Sequence, residues 1–482
     1  MLQIKEIIQR LNEDDYSSIA ENLEKNKAEK YHSLLSLYRE NNHTDGEIIN
    51  RLGVTSNAFY VLKSRLHEKI QQHLLDNMDA PRTEIIRKIV SIPNLIYEND
   101  RNFALAILYK LEKDLIDYDM PGELTAVYRA LKKLHLHSDK YYHYSQLYNK
   151  HVAYTLAIDK AEDLLAEFNK KIGEYYVTRN EELLEIFPLI KKEMENICRL
   201  NQSHHLEVYL NLVNASIAII LDLPEAVKDD PPVEDLLDKT EEIISKYPKD
   251  INYTHLNKVN HFLAFEYYHK LKLDKKASQY FELINGEIPN FLHCNHLCFS
   301  SKLLISKLEH YIRFEKEKEL CAQNEVLFEK HEPEKSDVPN YINWVKYVAA
   351  SAYYADDYKK CTNLLSDLLN EIGFKHYAHS EIEIKLFLAL TYSLCNKYDL
   401  AWRTLTSCSR KIREMNKNMS YENAVFFAKM LRLQTSTHPK NIEEKLIGLK
   451  NNFELINQGN KRMLEFIKMD DSFIKKLAKS VK

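Results

Sequence analysis

Glycine and proline are scarce in this chain, with 8 and 12 copies among 482 residues. Sheet proteins and α/β enzymes need glycine for tight turns and for loops that hold phosphate, so this scarcity argues against both classes. Glycine-rich nucleotide loops, the G-x-S-x-G nucleophile motif and the H-E-x-x-H zinc motif do not occur in the sequence. We therefore expect neither an enzyme nor a bound cofactor or metal.

Long apolar runs and a signal-peptide pattern are also missing. The best candidate for a membrane span, 210–223, is interrupted by Asn211, Asn214 and Ser216 and falls short of the roughly 18 apolar residues that a span needs. The N-terminus carries acidic residues, unlike a signal peptide. The seven cysteines are scattered and odd in number, which is typical of reduced thiols. These features predict a cytoplasmic protein without a membrane span.

Helix-forming residues dominate what is present. Hydrophobic residues make up 45% of the chain and charged residues 29%, which is the balance of a folded, soluble protein. The 31 tyrosines suit stacked helices, because the ring fills the space between two helices while the hydroxyl reaches water. The composition predicts an all-α fold of long helices joined by short turns.

A repeated pattern of aromatic and small residues runs through the second half of the chain. In 262–289, Tyr268, Ala277, Phe281 and Pro289 follow one another at spacings of nine, four and eight residues. Alanine lets two helices approach closely, phenylalanine fills the groove beside it, and proline is expected to end the second helix. Comparable positions recur at Trp344, Tyr358, Cys361, Tyr392 and Ala401.

This pattern resembles the tetratricopeptide (TPR) repeat and implies an α-solenoid. We expect a head at 1–76, an irregular helical repeat region at 83–223, and TPR-like repeats with a C-terminal capping helix at 233–482. A generic helical bundle without repeats is the alternative.

The segment 44–72 contains two predicted helices separated by a glycine. Thr44 and Glu47 have the spacing of a capping box, so the first helix should begin there. Gly53 should end it, because glycine adopts positive φ easily. The second helix should begin near residue 55 and extend to about residue 75.

This segment resembles a helix-turn-helix, and most closely the C-terminal DNA-reading segment of sigma factors. The resemblance implies that Ile48, Leu52, Val54, Phe59 and Leu62 point inward. In this motif the second helix lies in the major groove. The implied base contacts are Thr55, Ser56, Asn57, Tyr60 and Ser64, and the implied phosphate contacts are Arg51, Lys63, Arg65 and Lys69.

The charge of this segment is low for a DNA-binding module. Four basic residues and three acidic ones give residues 44–72 a net charge of +1. Tight binding to DNA relies on the neutralisation of several phosphates. The segment therefore has a second interpretation, as a helical cap that packs against the first repeat.

Together, the two resemblances predict a transcriptional regulator with a DNA-binding head and a body that binds a protein or peptide on its repeat surface. Duplex DNA would be held through 44–72, and self-association as a homodimer stays open. The alternative function is a protein-interaction scaffold or adaptor without nucleic-acid binding, in which the repeat surface alone holds the partner.

Overall fold

The computed structural model describes residues 4–11, 13–26, 28–40, 43–76, 81–201, 203–223, 228–248, 250–294, 296–329, 333–415, 421–433, 441–458 and 462–479. Within these ranges every regular element is a helix and there is no strand, which confirms the predicted all-α class. The chain forms two compact units, Met1–Tyr148 and Asn149–Lys482. No helix of the described ranges is long and apolar enough to cross a membrane.

The first unit is built from ten helices among the described residues, the last of which continues into the second unit. They are α1 (Ile4–Arg10), α2 (Glu13–Lys25), α3 (Glu29–Arg39), α4 (Asp45–Leu52), α5 (Ser56–Asp76), α6 (Pro81–Val90), α7 (Ile92–Glu98), α8 (Arg101–Asp117), α9 (Pro121–Leu134) and α10 (Lys140–Thr178). Its apolar side chains form two separate clusters, one drawn from residues 4–70 and one from residues 85–148.

The second unit continues from α10 with fifteen further helices in its described residues. They are α11 (Ile186–Leu200), α12 (His204–Ile219), α13 (Val233–Lys246), α14 (Ile251–Lys270), α15 (Asp274–Asn285), α16 (Ile288–Phe291), α17 (Lys302–Arg313), α18 (Leu320–Glu329), α19 (Val338–Tyr354), α20 (Tyr358–Glu371), α21 (Ala378–Leu394), α22 (Tyr398–Met415), α23 (Glu422–Leu433), α24 (Ile442–Ile456) and α25 (Asp471–Lys479). One apolar cluster extends through this unit and includes both Leu221 and Leu237.

One type of turn recurs between consecutive helices. A residue with φ between 51° and 59° follows the helix, and the next backbone N–H donates to the carbonyl five residues earlier at 2.9 Å. This bond satisfies a carbonyl that the helix end would otherwise leave without a partner. The left-handed residues of these turns are Asp119, Lys272, Glu315, Asp356 and Asn396. The chain therefore turns without glycine, at a cost of about 1–2 kcal/mol for each left-handed residue.

The same position after this turn is buried in three helix pairs. Five residues after the left-handed residue lie Ala277 in α15, Cys361 in α20 and Ala401 in α22, and none of the three is exposed to solvent. Each helix packs against the helix before it. A small side chain at this place lets the two helices approach closely. Four residues further on, Phe281, Leu365 and Leu405 are also buried.

The aromatic residues of the repeat pattern differ in how far they are buried. Tyr268 is buried, whereas Trp344, Tyr358 and Tyr392 are half-buried. Trp344 stacks on Tyr341 with 6.0 Å between ring centroids. The three half-buried rings keep part of their surface in contact with water.

The prediction that Pro289 ends the second helix of its pair was wrong. Helix α15 ends at Asn285, and Pro289 lies in the first turn of the short helix α16. Proline suits that turn because its missing N–H would have no partner within the helix.

The C-terminal helix α25 packs against α24 and uses an apolar face. Phe473, Ile474 and Leu477 are buried, and Lys476 Nζ lies 2.9 Å from a carboxylate oxygen of Asp356 in the turn between α19 and α20. Val481, which lies four residues after Leu477 in the sequence and could extend this face, lies outside the described residues.

Enlarging the small residue of a helix pair tests the packing. We expect Ala277→Leu to lower the free energy of unfolding by about 1–3 kcal/mol, because the extra atoms force α14 and α15 apart. Gln279→Leu places the same side chain on the exposed face of α15 and should change stability by less than about 0.5 kcal/mol. Both tryptophans, Trp344 and Trp402, lie in the second unit, so their fluorescence during urea unfolding reports on it. Equal stability of the two variants would contradict the close approach at Ala277.

Candidate functional site

Helices α4 and α5 begin and end as the sequence predicts. The Thr44 hydroxyl accepts from the Glu47 backbone N–H at 3.4 Å, and the Glu47 carboxylate accepts from the Thr44 N–H at 2.9 Å. This capping box starts α4 at Asp45. Gly53 follows the helix with a φ of +59°, a conformation that costs a residue with a Cβ more than it costs glycine. Helix α5 begins three residues later, at Ser56.

One face of these two helices packs into the core of residues 4–70. Ile48 and Phe59 are fully buried there, and Leu52, Val54 and Leu62 are partly buried against the same cluster. The five residues predicted to point inward therefore do so. Phe59 belongs to the first turn of α5, so its burial fixes which side of that turn faces solvent.

The predicted base-reading residues all lie on the solvent side. Thr55, Ser56, Asn57, Tyr60 and Ser64 are exposed, and 61% of the Tyr60 surface is open to solvent. They occupy the first three turns of α5 and the residue before it. The beginning of this helix thus presents small polar groups and one aromatic ring outward.

Lys63 differs from the other predicted phosphate contacts. Its ammonium lies 3.0 Å from a carboxylate oxygen of Asp45, and the other oxygen of Asp45 accepts from the Tyr38 hydroxyl at 3.0 Å. The same ammonium lies over the rings of Tyr38 and Phe59, at 5.6 and 6.0 Å from their centroids. Lys63 therefore ties α5 to α3 and α4, and its charge is already engaged within the head.

The remaining predicted phosphate contacts are exposed. Arg51 lies 3.0 Å from the His43 ring, Lys69 lies 5.8 Å from the Tyr31 ring centroid, and Arg65 extends from α5 into solvent. Three cationic side chains are thus available on this surface. We name the surface formed by these three and the five base-reading residues the α5 surface.

The second unit contains a charged cavity of about 390 Å³. Three of its helices supply most of the charged side chains, and the segment before α25 supplies two more. The polar residues are Tyr175, Tyr176 and Arg179 from α10 and the turn after it, Glu266, His269 and Lys270 from α14, Lys302, Glu309 and Arg313 from α17, Asp222 after α12, and Arg462 and Glu465.

Several of these charges are paired with one another. Lys302 Nζ lies 3.2 Å from the Glu266 carboxylate, and both side chains are largely buried. Lys270 lies 2.6 Å from Asp222, and Arg462 lies 3.2 Å from Glu465. Burial pulls the pKa of Lys302 down, but the carboxylate of Glu266 outweighs it, so the pKa lies above its usual value. The lysine therefore stays charged inside the protein.

The ring of Tyr176 is surrounded by cations. The Arg179 guanidinium lies 4.8 Å from its centroid, and the ammonium groups of Lys302 and Lys346 each lie 5.8 Å away. An aromatic face attracts cations through its quadrupole, most strongly where water is excluded. Burial raises the pKa of the Tyr176 hydroxyl, so the ring remains neutral.

A buried ion pair adjoins the cavity. Lys346 Nζ lies 2.7 Å from Glu383, with 8% and 7% of their side-chain surfaces exposed. The other Glu383 oxygen accepts from the Leu464 backbone N–H at 2.7 Å. Burial alone would raise the pKa of Glu383, but the charge of Lys346 and the hydrogen bonds from Lys346 and the Leu464 N–H hold it below its usual value. This pair anchors the segment that carries Arg462 and Glu465.

The half-buried His269 lines the cavity, and the buried His310 and His379 lie near it. Burial lowers the pKa of His269 and His310 to about 4, and that of His379 to about 3. His310 is enclosed by aromatic rings, with centroids of Phe281 and Phe314 at 4.6 and 4.7 Å. These imidazoles are neutral at pH 7 and add no charge to the cavity.

Sequence reasoning missed the cavity. Its charged residues come from positions as far apart as Arg179 and Arg462, so no local spacing connects them. A weaker signal was available: Glu266 and Lys346 are single charges inside otherwise apolar stretches of helix. A charge in such a place needs a buried partner, because an unpaired one is costly.

The buried ion pair is tested by removal of one partner. We expect Lys346→Met to lower the free energy of unfolding of the second unit by about 3–5 kcal/mol, because Glu383 is left buried without its cation. Lys246→Met breaks the exposed pair with Glu242 and should have a much smaller effect. Urea unfolding followed by tryptophan fluorescence measures both. Equal effects of the two changes would show that burial adds nothing to the Lys346 pair.

The buried histidines predict loss of stability in acid. Below about pH 6.5 the unfolded chain binds protons at histidine that the folded chain refuses until about pH 4, so stability falls as the pH falls through this window. His310→Phe removes one such group, and we expect a shallower slope of stability against pH between 4 and 6.5. The exposed His137→Phe is the control and should keep the wild-type slope. A wild-type slope in the His310 variant would contradict the assignment.

In comparisons with known proteins, no family model, no curated protein and no solved structure matches this chain. The geometry of the α5 surface and of the charged cavity is therefore the basis for a proposal about function.

Proposed function

We propose that this chain is a transcriptional regulator whose α4–α5 segment is a helix-turn-helix that reads duplex DNA. The observation that carries the proposal is the exposure of Thr55, Ser56, Asn57, Tyr60 and Ser64 at the beginning of a helix whose other face is buried. A recognition helix contacts base edges with residues near its N-terminus. Asn57 offers the amide that pairs with an adenine edge, and Tyr60 offers an apolar ring.

Charge limits how strongly one head binds. Lys63 is held by Asp45, so Arg51, Arg65 and Lys69 are the cations offered to phosphates on this surface. Neutralising about three phosphates gives a slope of about −2.7 for log affinity against log salt. Such a module binds weakly alone, so the proposal includes a homodimer that places two heads on one site.

The body is proposed to be a TPR-like solenoid that binds a protein or peptide. The recurring left-handed turn and the equivalent burial of Ala277, Cys361 and Ala401 support a repeated helix pair. Stacked pairs of this kind create extended surfaces for partners. The charged cavity adds a recessed site with side chains of both signs.

DNA binding is tested with the full-length protein and two duplex samples, a random pool and the DNA upstream of its own gene. We expect binding by fluorescence anisotropy that weakens about fortyfold per head between about 50 and 200 mM salt. On a sequence enriched from the pool, Asn57→Ala should weaken binding about five- to 150-fold, because a bidentate base contact is lost.

Gln71→Ala is the matched control, since Gln71 is an exposed polar residue of the same helix beyond the α5 surface. It should leave affinity unchanged. Absence of salt-sensitive binding to both samples would overturn the proposal and favour the adaptor function. Equal losses in the Asn57 and Gln71 variants would show that the beginning of α5 does not read bases.

A further inference from the structure

Among the described residues, two opposite charges that line the cavity have no ion-pair partner. Lys302, Lys270 and Arg462 are matched by the carboxylates of Glu266, Asp222 and Glu465, and Arg313 lies 3.1 Å from Asp274. The charged residues of the lining that remain are one cation, Arg179, and one carboxylate, Glu309. The cavity therefore presents one unmatched positive group and one unmatched negative group.

Arg179 is placed at the cavity by an unusual backbone conformation. It directly follows α10 with a φ of 53°, which turns its side chain out of the helix path. Its guanidinium lies over the rings of Tyr175 and Tyr176, and no carboxylate of a described residue lies within 4 Å of it. The Nε atom is buried and has no hydrogen-bond partner among the described residues. Contacts with aromatic rings do not neutralise a guanidinium, so Arg179 can still donate hydrogen bonds to a carboxylate.

Glu309, on α17, is the negative group without an ion-pair partner, and its side chain is half-buried. It forms no hydrogen bond and no ion pair with any described residue. Burial raises its pKa to about 7, with Lys302 opposing the rise and the carboxylates of Glu465 and Glu266 adding to it. Lys302 is already held by Glu266, so it does not neutralise Glu309 fully. A cation that enters the cavity could therefore pair with the Glu309 carboxylate, which forms no ion pair with a described residue.

The size of the cavity restricts the ligand. Its volume of about 390 Å³ is at the small end of sites for small molecules and is too small for a folded partner. The lining is mainly polar, so a purely apolar ligand would leave buried charges unsolvated. A ligand with only an anionic group, or only a cationic one, would leave Glu309 or Arg179 unmatched.

We propose that the charged cavity binds a small zwitterion, an α-amino acid or a dipeptide, with its carboxylate on Arg179 and its ammonium on Glu309. The planar guanidinium donates two parallel hydrogen bonds to a carboxylate, and a carboxylate on the wall accepts from the ammonium. The neutral histidines nearby impose no further charge on the ligand. This inference is independent of DNA binding by the head.

The test uses the full-length protein and four probes: L-alanine, L-alanyl-L-alanine, N-acetyl-L-alanine and L-alanine amide. Isothermal titration calorimetry measures binding at pH 8, because the pKa of Glu309 is raised above its usual value. We expect at least one of the two zwitterions to bind, and the acetylated and amidated probes to bind at least about tenfold more weakly, because each lacks one of the two charges.

Two variants that remove one charge each assign the contacts. Arg179→Gln and Glu309→Gln should each weaken binding of the zwitterion about tenfold or more. Arg179→Gln should also abolish the preference for L-alanine over its amide, and Glu309→Gln the preference over the acetylated form. Lys246→Gln, on the exposed face of α13, is the control and should bind as the wild type does.

Tryptophan fluorescence of each variant establishes that the second unit is folded before binding is measured. Absence of heat for both zwitterions at 10 mM overturns the proposal. So does equal binding of the zwitterions and the two capped probes, or binding that both glutamine variants leave unchanged.

Discussion

The close approach of consecutive helices is the constraint on which the second unit depends. A helix that buries an apolar face needs a neighbour, and a small side chain at the crossing decides how near that neighbour comes. Ala277, Cys361 and Ala401 supply this position in three pairs. The left-handed turn before each of them sets where the second helix starts, so turn geometry and packing act together. Shifting the turn by one residue would move the small side chain off the crossing.

Close packing of helices also explains how the interior tolerates charge. Two ion pairs connect neighbouring helices in the interior. Lys346 pairs with Glu383, and Lys302 pairs with Glu266. Their pairing offsets the cost of removing ions from water, and the ring of Tyr176 shields several cations at once. The segment around Leu464 completes this arrangement with a backbone N–H to Glu383. The charged cavity is what remains open between these paired groups.

In the head, residues 1–76, a few buried side chains and one ion pair hold α5 in place. Its core fixes α5 through Phe59 and Leu66, and Asp45 connects Tyr38 to Lys63 across three helices. Because Lys63 is paired with Asp45, its charge is not available on the solvent-facing surface. A surface with little net charge gives weak attraction to DNA at long range but leaves base-edge contacts unaffected, since those depend on geometry. The low charge and the exposed start of α5 are therefore compatible with the proposed pairing of two heads on one DNA site.

The sequence by itself determined the helical class, the bounds of α4 and α5 and the inward face of the head, because capping, glycine turns and apolar periodicity act over a few residues. It also identified Ala277, Cys361 and Ala401 as equivalent, since their spacing from the turn is local. It placed the helix end wrongly at Pro289, because proline also suits a first turn and only the packing of α16 decided between the two.

The tertiary structure alone decided that Lys63 is held by Asp45 and that Arg179, Glu309 and Arg462 share one cavity. These groups meet because distant helices stack, and no pattern of short spacing records which helix a charged side chain will face.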